Sequence, residues 1–207
     1  MCGIIGSINL IDASGEQHGS EIQNNIDWIR RRGPDSQGYY RKKYKTHDVC
    51  LAHTRLSIID LTEHGHQPMS DDSSKWTVVY NGEIYNYIEI RKQLECCGDV
   101  FHGHSDTEVL LMAWSRWGVD ALTRFNGMFS FAAFNSDSGE LWLARDRFGV
   151  KPLYWGNSNK GFVFSSSLAA VGHYRNSEVN IDYCARGLFY KAFEIPGSES
   201  PISGVNS

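Results

Sequence analysis

This 207-residue chain has no apolar stretch approaching the roughly 20 residues that a membrane-crossing helix needs; runs such as Met128–Phe134 are far shorter. No membrane partner is expected. An excess of one charge is also missing: 20 Lys and Arg face 24 Asp and Glu, a net charge of -4 spread through the chain, so a nucleic-acid surface is not expected either. The five cysteines (Cys2, Cys50, Cys96, Cys97 and Cys184) are an odd number without a Cys-x-x-Cys pair, which fits free thiols rather than a disulfide framework. The N-terminus lacks the basic flank of a secretory signal. Together these features predict a cytoplasmic protein. There is no GxGxxG run and no P-loop for a nucleotide. His64-Gly65-His66 and His102-Gly103-His104 have no Cys or carboxylate at matching spacing, so no metal is expected.

What is present is the composition of an ordinary globular chain, 41% hydrophobic with 13% aromatic residues, long enough for one sizeable core. Gly3–Leu10 reads as a buried strand, and Ile22, Ile26 and Ile29 as the apolar face of a short helix ended by Gly33-Pro34. Val49–Thr54 and Leu56–Leu61 are strand-like, and residues 62–75 read as a loop. Trp76–Tyr80 is a strand, and Asn81-Gly82 after it carries the strongest short hairpin signal, since both residues tolerate positive φ. Asn86 with Glu89, and Ser105 with Glu108, each predict a capping box at the start of a helix. Beyond Gly127, strands alternate with turns at Ser136–Gly139 and near Lys160. Strands at both ends with helices between them predict an α+β layered sandwich. The Ser-, Gly- and Pro-rich end, residues 191–207, reads as a linker or the start of a further domain.

Cys2 follows the initiator Met. Removing Met1 would put a thiol and an α-amine on one residue, and an α-amine titrating near pH 7.7 to 8.0 can serve as the thiol's base. Taken alone, Cys2 reads more readily as a small apolar residue that happens to come second.

The run Met1-Cys2-Gly3-Ile4-Ile5-Gly6 is followed in order by Arg32-Gly33-Pro34-Asp35, Arg55-Leu56-Ser57-Ile58-Ile59-Asp60, Asn81-Gly82-Glu83-Ile84-Tyr85-Asn86, Ser105-Asp106-Thr107-Glu108 and Ala144-Arg145-Asp146-Arg147-Phe148-Gly149. This series resembles the glutaminase domain of asparagine synthetases, members of the class II glutamine amidotransferases. The resemblance covers residues 2–190. It implies an N-terminal nucleophile hydrolase fold, a four-layer αββα sandwich, in which Cys2 hydrolyses L-glutamine to glutamate and ammonia through a thioester. By the same resemblance Asn81 and Gly82 supply the oxyanion site. Arg55 grips the α-carboxylate of glutamine, Asp106 and Glu83 recognise its α-ammonium, and the main chain of Ile58 and Ile59 lines the pocket.

Plainer readings stand beside these: a hairpin turn for Asn81-Gly82, a helix cap for Asp106 and core packing for Ile58 and Ile59. Asp35 and Arg32 read as loop-shaping. Phe164-Ser165-Ser166-Ser167 departs from the family's stretch, which usually carries a glutamate there. No cofactor is expected in this chain; ATP and Mg belong to the C-terminal synthetase domain or subunit that the resemblance implies as partner, and a homodimer is possible. The nitrogen acceptor, aspartate or another carboxylate or sugar, is not readable. The alternative to an enzyme is a catalytically silent module that binds glutamine or a partner.

Overall fold

A computed structural model describes residues 2–11, 22, 25–57, 65–159, 161–190 and 199–207. Its first sheet has the order β2-β3-β1-β9-β8, built from β1 (Gly3–Leu10), β2 (Ser36–Tyr44), β3 (His47–Arg55), β8 (Tyr154–Ser158) and β9 (Gly161–Ser165). The second has the order β4-β5-β6-β7, from β4 (Met69–Ser70), β5 (Trp76–Ile84), β6 (Gly127–Asn135) and β7 (Leu141–Arg145). Every pairing is antiparallel. The helices are α1 (Asp27–Arg30), α2 (Tyr87–Cys96), α3 (Asp106–Trp117), α4 (Leu168–Arg175) and α5 (Ile181–Tyr190), with a 3-10 turn at Gly118–Thr123.

Side-chain alternation along the strands sorts the apolar residues into three clusters, and three clusters separate four layers. On β1, Ile5 joins Cys50, Ala52 and Val163 beneath α1 and α4, with Ile22, Ile26 and Ile29 closing that layer. The neighbouring Ile4 points the other way, to Val49, Leu51, Val79, Ala132, Phe134 and Phe164 between the sheets. Val78, Tyr80, Phe129 and Phe131 then face α2 and α3, where they meet Ile90, Leu94, Leu110 and Trp114. The expected αββα sandwich is what forms.

Four local expectations are corrected. Asn81 and Gly82 make no turn: β5 runs straight through them, with Asn81 opposite Ser130 and Gly82 opposite Phe129 on β6. Gly82 serves close approach instead, because a Cβ there would lie 2.5 Å from the Met128 carbonyl oxygen and 2.7 Å from the Phe129 Cα. Asn86 precedes α2 without capping it; its amide donates to the Arg124 carbonyl and accepts from Asn126 N–H, tying the helix entry to the approach to β6. Ser105 does cap α3 by accepting from Glu108 N–H, but the Glu108 carboxylate takes His102 and Gly103 N–H rather than closing the box. Within the expected loop 62–75, Met69–Ser70 forms the short edge strand β4. Of the expected linker 191–207, the described residues 199–207 run back along β8, where Asn206 bridges Trp155 and Val205 is buried. Residues 58–61, the rest of the strand-like stretch after Leu56, lie outside the described residues.

Buried among the inter-sheet residues, His53 is 1% exposed and its Nε2 has no hydrogen-bond partner. Burial, with the nearby His66 and Arg55 adding to it, pushes this imidazole down to about 3. The unfolded chain therefore takes up a proton as pH falls through 6.5 while the folded protein stays neutral until about 3, so stability drops across that window. Between pH 6.5 and 5 the expected loss is about 2 kcal/mol. Urea melts of the native protein and of His53→Gln over that range check this: the variant is expected to be much flatter, and equal slopes would contradict the assignment.

Candidate active site

Strand ends and one helix start meet where the two sheets part. Cys2, the residue before β1, and Arg55, the last of β3, come from the first sheet; Asn81, Gly82 and Glu83 come from β5 and Asp106 opens α3. With Leu56, Ser57, Gln67, Tyr80, Met128 and Lys151 they line one cavity of about 280 Å³. All the described residues singled out for the site therefore converge. Ile58 and Ile59 lie outside the described residues.

Cys2 Sγ sits 3.4 Å from Leu56 N and 3.7 Å from Leu56 O. Burial pushes the thiol up, while the Leu56 N–H and the Arg55 guanidinium pull the other way by favouring the thiolate. The residue is held from behind: Arg32 Nε donates to the Cys2 carbonyl at 3.2 Å, so Arg32 shapes the backbone of Cys2 and not only its own loop. Gly33 lets that loop close in, since a Cβ on it would lie 2.2 Å from the Thr54 carbonyl oxygen. Asp35 Oδ2 accepts from Ser57 N–H at 2.8 Å, joining the loop to the chain just after Arg55. The departing serine stretch also serves β1. Ser166 Oγ accepts from Ile4 N–H, and Ser165 Oγ donates to the Ile4 carbonyl, two residues beyond Cys2.

Asn81 is 1% exposed, and its Nδ2 is buried with no acceptor. An unsatisfied buried donor costs about 1 to 3 kcal/mol, a cost that a bound acceptor would remove. Gly82 N–H lies on the edge of β5 turned away from β6, as strand alternation requires. On that same edge Tyr80 N–H donates to Gln67 Oε1 at 2.6 Å and Ile84 N–H donates to Asp106 Oδ2 at 3.1 Å. The amide between them faces the cavity that Gln67, Gly82 and Asp106 all line.

Asp106 is the first residue of α3, and the cap is its neighbour Ser105, so the helix-cap reading of Asp106 fails. Its Oδ2 also accepts from Tyr80 Oη at 2.7 Å. Burial raises the Asp106 carboxyl, opposed by those bonds from Tyr80 and Ile84. Glu83 is exposed at the cavity rim. The cavity thus holds an acid pair, a guanidinium, a thiol and two amide donors, which is complementary to a zwitterion carrying a side-chain carbonyl.

Sequence reasoning missed Gln67, Tyr80 and Lys151. Gln67 and Tyr80 show no chemical signature in one dimension; they reach the site because β4 and β5 carry them to the edge above Asp106. Lys151 had a signal, since the Ala144–Gly149 motif ends two residues before it. Among the described residues no group of three or more His, Cys, Asp or Glu is placed to hold a metal, and no helix is long and apolar enough to cross a membrane.

Comparison with known proteins gives the same picture. The family described as "Glutamine amidotransferase domain" matches residues 1–207. A putative glutamine-hydrolysing asparagine synthetase of Methanocaldococcus jannaschii is 35% identical over 98% of this chain and 41% of its own length. Asparagine synthetase 1 of Bacillus subtilis is 38% identical over 88% of this chain and 28% of its own. The chain therefore spans less than half the length of these relatives. In fold it is similar to glutamine phosphoribosylpyrophosphate amidotransferase of B. subtilis, with a TM-score of 0.66 at 21% identity over 82% of this chain and 42% of that one. The four layers have the fold of the N-terminal nucleophile hydrolases, and with the family matched from end to end this chain belongs to the glutamine amidotransferase domains and is similar to those of glutamine-hydrolysing asparagine synthetases.

Proposed function

We propose that this domain hydrolyses L-glutamine to glutamate and ammonia through a thioester on Cys2, and passes the ammonia to an ATP-dependent synthetase domain or subunit of the asparagine synthetase type. Removal of Met1 frees the α-amine of Cys2. That amine takes the thiol proton, directly or through water, and the thiolate attacks the γ-carbonyl carbon of glutamine. As the C–S bond forms, the carbonyl π pair moves onto oxygen, where Asn81 Nδ2 and Gly82 N–H receive it. The α-ammonium returns its proton to the leaving nitrogen and ammonia departs. Water then adds to the thioester, and glutamate leaves with the thiol restored. Arg55 is placed to bind the α-carboxylate through two parallel hydrogen bonds, and Asp106 with Glu83 the α-ammonium.

The observation that carries this reading is the buried, unpartnered Nδ2 of Asn81 in the same cavity as the Cys2 thiol. A donor kept dry and unpaired beside a nucleophile is suited to a charge that exists only during the reaction. The matching test is Asn81→Ala. Its kcat for ammonia release is expected to fall about 100- to 1,000-fold, with KM for glutamine changed by no more than about 3-fold. A kcat within about 3-fold of the native value would remove Asn81 from this role. Native protein that bound glutamine yet released no ammonia would favour the silent binding module instead.

A further inference from the structure

The turn after β7, residues 146–151, has no part in the scheme above, yet it is fastened to the cavity wall more firmly than its length demands. Asp146 Oδ1 accepts from Phe148 N–H at 3.2 Å and Val150 N–H at 2.9 Å; Oδ2 accepts from Lys151 N–H at 2.9 Å and Phe129 N–H at 3.2 Å. Burial pushes this carboxyl up, but the four N–H donors outweigh it and hold Asp146 below the usual carboxylate range. Arg145 closes the turn from its other side, donating to the Gly149 carbonyl and to the Lys151 carbonyl at 2.7 Å each. The backbone of Lys151 is thus clamped at both its N–H and its C=O. One carboxylate oxygen ties it directly to Phe129, the ladder partner of Gly82.

From that anchor the Lys151 side chain lines the cavity and is 7% exposed. Among the described residues no carboxylate pairs with its ammonium. The side chain thus brings a positive charge to the cavity with no carboxylate to pair it, and nothing in the turn requires a cation there, so the placement points to an anionic group that occupies the cavity for part of the time. The charges already assigned say which one. On the thioester reading proposed above, Arg55 takes the α-carboxylate, and Asp106 with Glu83 takes the α-ammonium. Lys151 is left over, anchored at the Gly82 end of the cavity, where the γ-carbonyl oxygen must lie.

We propose that the Lys151 ammonium holds the negative charge that arises on the γ-oxygen of the substrate, first in the tetrahedral intermediates and then in the γ-carboxylate of product glutamate. The amide of bound glutamine is neutral, so this attraction grows along the reaction and favours the transition state over the substrate. Lys151 thereby joins Asn81 and Gly82 as a third, charged contributor at the oxyanion end, and it makes the site bind its product better than its polar contacts alone would.

The test compares Lys151→Met, which keeps the length and loses the charge, with Lys151→Arg. In Lys151→Met, kcat is expected to fall roughly 10- to 100-fold with KM for glutamine within about 3-fold, and inhibition by glutamate to weaken about 10-fold; Lys151→Arg is expected to recover most of both. Calorimetry in a Cys2→Ala background separates this inference from the reading beneath it. There Lys151→Met is expected to weaken glutamate binding and leave glutamine binding unchanged, whether or not the native protein turns over. If native protein releases no ammonia, the thioester reading fails by itself. If Lys151→Met loses thermal stability while glutamate affinity stays at the parental value, Lys151 is structural and the inference is overturned, as it is if kcat and glutamate inhibition both stay unchanged.

Discussion

Replacing Cys2 with Ala is expected to lower kcat for glutamine hydrolysis by roughly 10⁴-fold or more while the dissociation constant for glutamine stays within a few-fold of native. The size follows from what is removed. Without the sulfur no thioester can form, and the remaining donors at Asn81 and Gly82 have no attacking atom to assist. The sparing of affinity follows from where the proposed binding groups sit: Arg55 ends β3, Asp106 opens α3 and Glu83 lies on β5, and none of them is held in place by Sγ. Sγ contacts the main chain of Leu56, so its loss leaves one N–H short of an acceptor and little else. Ammonia release and calorimetry on the same preparation check both halves. Turnover above about a tenth of native would contradict the nucleophile assignment.

Gly82→Ala is expected to damage fold and site together, with a stability loss above about 3 kcal/mol and ammonia release falling below detection. An added methyl group would meet the Met128 carbonyl oxygen at 2.5 Å and the Phe129 Cα at 2.7 Å. Both are backbone atoms of a central strand, which cannot swing aside as a side chain could. To relieve the clash β5 must move away from β6, and that displaces the Gly82 N–H together with the Asn81 amide beside it. Chemical denaturation and an ammonia assay measure the two effects. A variant of native stability with native turnover would show that the close packing of β5 on β6 is not needed.

The same residue marks the limit of what one dimension reveals. Asn-Gly after a strand is a sound local signal for a hairpin, but it was overridden here because the residue types that allow a tight turn also allow a strand to pass hard against its neighbour. The competing information, the partner strand β6, arrives some 45 positions later in the ladder, with Ser130 and Phe129 opposite Asn81 and Gly82. Asn86 misled for a related reason: its amide found acceptors and donors at Arg124 and Asn126, far away in sequence, before its own helix. Local signals held where no distant group competed. The apolar run Gly3–Leu10 forms β1 with those ends, Ile22, Ile26 and Ile29 share one buried layer, and Ser105 caps α3.

The site was legible to the extent that its chemistry is carried by rare residue combinations. Cys2, Arg55, Asn81, Gly82, Glu83 and Asp106 were drawn from four separate motifs, and they meet in one cavity. What supports them was not legible. Arg32 bonding the Cys2 carbonyl and Gln67 occupying Tyr80 N–H depend on the closing of the two sheets, as does the burial of His53 and Lys151.

The most direct measurement is intact and peptide mass spectrometry of active protein quenched in acid during turnover of glutamine, with a parallel sample treated with a diazoketone analogue of glutamine. The account expects Cys2 as the first residue of the active species, a glutamyl group carried on its sulfur and the analogue attached at the same atom. Active protein that keeps Met1, or an adduct on any residue other than Cys2, would contradict it.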